Sequence, residues 1–377
     1  MPKHNTDELV KRGHAAMTSF NPELAVEFYG RALEQDKSNC DIMDSLADAL
    51  LQIGDHENAK PLLQRSIAVD PSGSPYKHIY LGQMLADREA LDSYERAIAL
   101  LIRDYAAAQE NIADTMSMDV EEPIPVELNK RSNPSLLKKQ LAKAYCNVAD
   151  LFLTDLAEDE GAEHACQEAL LKAHNVDPTC LDVQQTLASL RLSQCKPAEA
   201  CDIMSAVCSR IIRTLQISQQ ETIVGTLQKG QQGQAAQANS VFNAATASAA
   251  GIPEDECPEH HFCMTTAKLV VECCETRASM AEEAMELLGL LLEEDDENTE
   301  LWYIMGVAAL SAKPADIETA SFHLNKAKSM MMDSQERTGE DCSEQLCMIE
   351  QHLTEVTKLQ ANSEIAAEGE EDEEAED

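Results

Sequence analysis

The stretch Cys40–Gly73, CDIMDSLADALLQIGDHENAKPLLQRSIAVDPSG, narrows most what this chain can fold into. Met43, Leu46, Ala47 and Leu50 share one face of a first helix, which Gly54-Asp55 break. Ala59, Leu63 and Ile67 mark a similar face on a second helix, closed by Asp70-Pro71. A two-helix hairpin of this size cannot bury its apolar stripe alone. Copies of it must therefore lie alongside.

The same frame recurs along the sequence. Thr6–Asn39 places Leu9, Gly13 and Ala16 on a first helix and Ala25, Tyr29 and Ala32 on a second. Asn21-Pro22 is the turn and Asp36-Lys37 a weaker stop. A third unit opens near Ser74, with Leu81, Gly82 and Leu85, then Ala90, Tyr94 and Ala97; its inter-helix turn counts about four residues shorter. Residues 1–106 thus hold three units. Residues 107–134 read as a polar linker carrying Pro123, Pro125 and Pro134.

Residues 135–215 hold two further units. Tyr145, Val148, Ala149 and Phe152 pair with Ala162, Cys166 and Ala169 before Asp177-Pro178. Leu187, Ala188 and Arg191 then pair with Ala200, Met204 and Val207 across Lys196-Pro197. Residues 216–263 turn to Gln, Ala, Ser and Gly, either a flexible insertion or a weak extended helix; the shortage of apolar residues favours mostly flexible chain. Residues 264–360 supply two last units, with Lys268, Val271, Ala284, Leu288 and Leu291, then Trp302, Met305, Gly306, Ala309, Ala320, Leu324 and Ala327. A helix over about Ser343–Leu359 is placed to cover the open end. The acidic run 361–377 is expected to stay a solvated, disordered tail.

Charge limits the partners. Lys plus Arg number 29 against 68 Asp plus Glu, a formal net charge of −39. Such a surface repels nucleic acid and anionic membranes and attracts basic protein. No apolar run has the length of a membrane span, and MPKHNTDELVKRGHAAM lacks a signal-peptide block, so an intracellular chain is expected. The thirteen cysteines include no Cys-x-x-Cys pair. Cys146, Cys166, Cys201 and Cys273 fall on core-facing positions, which favours buried thiols over disulfides.

Catalysis finds no foothold. Phosphate-cradling glycine loops, Gly-x-Ser-x-Gly and His-Glu-x-x-His are all absent, so neither an enzyme nor a cofactor is expected. Cys257, His260, His261 and Cys263 in CPEHHFC lack zinc-ligand spacing and read as a loop entering a helix, so no metal is expected either.

The hairpins resemble the tetratricopeptide repeat, whose period is ~34 residues. That resemblance implies an all-α, right-handed solenoid of about seven hairpins with a C-terminal capping helix. It also implies a concave groove lined by the first helix of each hairpin. Asp41, Asp44 and Asp48, spaced i, i+3, i+7, then present three carboxylates on one face, opposite the packed one. Tyr80, Gln83, Asp150, Gln185, Ser189 and Tyr303 occupy comparable offsets and complete the candidate partner-binding set.

The blocks IYLGQMLADREALDSYERAI, LDVQQTLASLRLSQCKPAEA and LLEEDDENTELWYIMG, followed by the acid tail, resemble the assembly chaperones dedicated to large-subunit ribosomal protein L-four. The resemblance runs from about residue 5 to 330 and implies a non-enzymatic holdase. Such a protein shelters the basic internal loop of a new ribosomal protein in its groove and delivers it to the pre-ribosome. Nuclear import factors would be met through the client, by a monomer present in cytoplasm and nucleus. Tyr80 and Tyr303 would then offer ring faces for guanidinium stacking. The long Gln-rich insertion and the short third turn depart from the family pattern. Other readings are a generic repeat scaffold and an adaptor for acidic chaperone tails; for the adaptor, Val10, His14, Asp44 and Asp48 stand where basic or amide groups belong.

Overall fold

The computed structural model describes residues 3–117, 133–229, 258–339 and 341–374. Every regular element among them is an α-helix, fifteen in all. Residues 118–132 of the expected linker, residues 230–257 of the Gln-rich stretch, and the side chains of the acidic run from 363 onward lie outside the described residues. Two compact units divide the chain at Thr186 and Leu187.

The first unit is a row of hairpins: α1 (Lys3–Thr18) with α2 (Pro22–Gln35), α3 (Cys40–Gln52) with α4 (His56–Val69), α5 (Tyr76–Gln83) with α6 (Asp87–Ser117), and α7 (Pro134–Leu153) with α8 (Ala162–Val176). Each second helix also packs on the next first helix: α2 on α3, α4 on α5, α6 on α7. Side-chain caps open several of them. The Asn21, Asn39, Asp55 and Asn133 carboxamides or carboxylates accept from the backbone N–H of Leu24, Ile42, Asn58 and Ser135. Gly54, at φ +78, sits in the left-handed turn that ends α3.

In the second unit α10 (Pro197–Lys229) packs on α11 (His260–Cys273) and α12 (Met280–Glu294). α12 then packs on α13 (Thr299–Ser311), which pairs with α14 (Ile317–Thr338). The helix α9 (Leu181–Ser193) carries the boundary between the units. α15 (Ser343–Glu374) lies on α13 and α14 and buries Ile349 and Val356 against Ala309, Ala320 and Leu324. It thereby covers apolar surface that a further hairpin would otherwise take.

The apolar register holds: Ala25, Tyr29, Met43, Ala47, Ala59, Leu63, Leu288, Leu291 and Leu324 are all at most 1% exposed. Two details differ from the sequence reading. The three residues between α5 and α6 equal the three between α3 and α4, so the third hairpin loses its residues from the helix: α5 has 8 residues and α3 has 13. In α4 the buried position is Ser66, at 0% exposure, with Ile67 only half-buried, because the Ser66 hydroxyl has an acid to bond across the hairpin.

Seven of the twelve described thiols are interior groups. Cys166, Cys201, Cys208, Cys263 and Cys273 are fully buried, and burial pushes Cys166 up to about 11 and Cys273 to about 12. Cys263 donates to the Pro258 carbonyl at 3.7 Å and its neighbour His261 is exposed, while Cys257 lies outside the described residues.

Candidate functional site

In the first unit, α3, the α4–α5 connection, α5, α6 and the start of α7 enclose a cleft of about 680 Å³. Its polar wall carries Asp41, Asp44, Asp48, Asp70 and Asp104; Lys77 and Arg103 are its cations. Arg103 is already engaged, donating to Asp104 at 2.8 Å and to the Ser72 carbonyl at 2.9 Å. Tyr76, Tyr80, Pro75, Leu63, Leu136 and Leu137 form the apolar wall.

The 3.6-residue period explains how α3 faces two ways. Met43, Leu46, Ala47 and Leu50 turn to the core, so Asp41, Asp44 and Asp48 face away from it. Asp41, in the first turn, is exposed; the other two are half-buried. Asp44 accepts from the Ser66 hydroxyl, and Asp48 from the Tyr80 hydroxyl at 3.5 Å. Burial holds the Asp44 carboxyl above the usual carboxylate range, with Asp41 and Asp70 adding to the effect and Ser66 and Lys77 opposing it. Burial raises Asp48 as well, against the Tyr80 hydrogen bond. Behind them the Tyr29 phenol is pushed up to about 12, by burial and by the Asp48 charge.

Lys77 lies at the inner side of the cleft, 2% exposed, and donates to the Ser66 hydroxyl at 3.5 Å. Ser66 therefore stands between an ammonium and the Asp44 carboxylate. Gln140 adds an amide whose Oε1 is out of contact with solvent and without a hydrogen-bond partner. One signal of these groups stands in the sequence: Ser66 is polar at an i+3 position from Leu63.

Of the nine candidate residues, Asp41, Asp44, Asp48 and Tyr80 line this one cleft. Gln83 is exposed at the end of α5 and Gln185 is buried at 7% exposure on α9. Ser189 and Tyr303 belong to the second unit. The Tyr303 ring packs against His352 of α15, centroids 5.8 Å apart, so the capping helix covers part of the stacking surface expected of it.

Asp150 lies further along α7, ten residues and about 15 Å beyond Gln140. Its carboxyl is pushed up to about 6, by burial first and by Asp182 second, against a hydrogen bond from Thr186. The residue is nonetheless exposed to solvent, which weakens the effect of burial. An unfolded aspartate titrates near 3.9, so in the folded chain the ionised form is the unfavourable one. That cost is absent below about pH 4, grows through pH 4–6 and is complete above pH 6. Asp150→Asn keeps an acceptor for Thr186 and is expected to stabilise the protein at pH 7.5 by about 1 kcal/mol, discounted for solvent access. Urea unfolding at pH 7.5 and about pH 4 checks it: the gain must vanish at the lower pH.

Comparison with known proteins places this geometry. The family model described as Tetratricopeptide repeat matches residues 41–72, the hairpin that carries the three cleft aspartates. A Schizosaccharomyces pombe protein named "Probable assembly chaperone of rpl4" is 31% identical over 170 residues, 45% of this chain and 39% of that protein. An Emericella nidulans protein of the same name is 22% identical over 348 residues, 86% of this chain and 72% of that one. This chain thus spans well under half of the first relative's length in that match. Among solved structures, "Assembly Chaperone of RpL4 (Acl4) (Residues 1-338)" has a TM-score of 0.58 at 20% identity, covering 81% of this chain and 95% of that one, which supports the fold. No helix among the described residues is long and apolar enough to cross a membrane. The chain carries a tetratricopeptide repeat at residues 41–72 within an all-α fold of paired helices, and is similar at modest identity over most of its length to proteins named as probable assembly chaperones of rpl4.

Proposed function

We propose that this protein is a non-enzymatic assembly chaperone that holds the basic internal loop of a newly made large-subunit ribosomal protein of the L-four type. The observation that carries the reading is the cleft of the first unit, where five carboxylates face two cations, one of them already paired. Its fit is to a positively charged segment, and the relatives' names supply a ribosomal client. The net charge of −39 disfavours direct contact with RNA until the client is handed over. In this reading the protein acts as a monomer in cytoplasm and nucleus, meets import factors through its client, and releases the client at the pre-ribosome. The adaptor reading is disfavoured by sign, because an acidic tail would meet Asp44 and Asp48.

The test is a titration of the purified chain with the basic ribosomal protein. A complex of about one to one is expected at about 0.1 M salt, weakening at least tenfold by about 0.5 M, since partly exposed charges are screened over that range. Absence of a complex, or one indifferent to salt, overturns the reading.

A further inference from the structure

We infer that the cleft of the first unit selects arginine over lysine in the segment it takes, and that Tyr76 and Leu136 make the choice. This rests on the proposal that a basic segment enters the cleft. Carboxylates attract both cations, so discrimination must come from what surrounds them.

Tyr76 is 37% exposed and Leu136 36%, and both line the cleft with Asp41, Asp44 and Asp48. Large apolar side chains exposed singly need no explanation; two beside the same acids offer flat, weakly hydrated surface at a charged site. An ammonium is compact and strongly hydrated and gains little there. A guanidinium is planar, sheds water more easily, stacks on aromatic and aliphatic faces, and turns a fork of donors toward carboxylates.

The acceptors favour the same guest. Asp44 and Asp48 lie one helical turn apart, ~6 Å between side-chain roots. Each already accepts one hydroxyl, from Ser66 and Tyr80, and keeps acceptor sites to spare. Gln140 also lines the cleft, and its amide oxygen has no donor. Five N–H donors serve such a set better than three. Lys77 already sets a point charge at the inner side. A guanidinium, with its charge spread over the plane, is repelled less by it than a second ammonium would be.

The experiment titrates the full chain with two synthetic peptides of identical spacing, one carrying arginines and one lysines. The arginine peptide is expected to bind about tenfold more tightly. In Tyr76→Ala/Leu136→Ala, whose replaced side chains are already more than a third exposed, that advantage is expected to disappear. Circular dichroism checks that the variant is folded. Equal binding of both peptides, or a preference that survives in the variant, overturns this inference and leaves the proposed function standing. Binding of neither peptide overturns both.

Discussion

Replacing Asp44 and Asp48 together by asparagine is expected to weaken capture of the basic ribosomal-protein segment about 100-fold, with helicity unchanged. Each loses a charge-assisted contact in a half-buried setting, about 1.5 kcal/mol apiece by general experience, and the two together reach that factor. Asparagine is the right probe because its amide oxygen still accepts from Ser66 and Tyr80. Reversal to lysine, the more obvious change from charge alone, would crowd a second ammonium toward buried Lys77 and confuse lost binding with lost folding. Asp41 is exposed, and Asp41→Asn alone is expected to cost less than about threefold. Fluorescence anisotropy with a labelled client segment reads all three. Because burial raises Asp44 and Asp48 above ordinary carboxylates, the parent's capture should also begin to weaken on acidification at a higher pH than ordinary carboxylates would set, and more steeply than the variant's. Capture unaffected by the double substitution would place the basic segment elsewhere.

Gly82→Ala is expected to destabilise the first unit by about 2 kcal/mol, although alanine is the better helix former by about 1 kcal/mol. A Cβ at Gly82 would stand 2.7 Å from Cε1 of Tyr94, a ring only 6% exposed and walled in by the α5–α6 hairpin. Steric overlap outweighs propensity. The hairpin of α3 and α4 supplies the natural control, because there Ala47 accompanies the smaller Leu63, and both are buried. Tyr94→Leu should therefore recover part of the loss in the Gly82→Ala background, a coupling that a double-mutant cycle in urea measures. Since α5 also carries Tyr76, Lys77 and Tyr80, the displaced helix is expected to lower client capture as well. Gly82→Ala at parental stability would mean that the close approach does not set the helix pairing.

The sequence made the hairpins legible because packing writes its period into every turn: Ala25, Tyr29, Ala59 and Leu63 stand where the spacing put them. Period fixes which way a residue faces and says little about how long an element runs. That is why the shortening of α5 passed for a shortened turn, and why α6 continues to Ser117. The acid face of α3 was legible for the same reason as the core face, being its complement. Its partners were not. Ser66 meets Asp44 across 22 residues, and Lys77 is buried among groups from two other elements, pairings that depend on how hairpins lean together. The partial covering of Tyr303 by His352 depends on where α15 docks, which no local pattern records.

The buried sulfur gives each half of the chain its own chemical reporter. Cys146 and Cys166 lie in the first unit, and Cys201, Cys208, Cys263, Cys273 and Cys274 in the second, whereas Cys195 and Cys347 are exposed. A thiol-specific reagent will mark the exposed pair at once and reach the buried ones only as their surroundings open, and burial also holds Cys166, Cys208 and Cys273 far from the thiolate form. Peptide mapping of a timed alkylation then yields two separate opening clocks from a single unmodified sample, and shows whether loading with client slows one, both or neither.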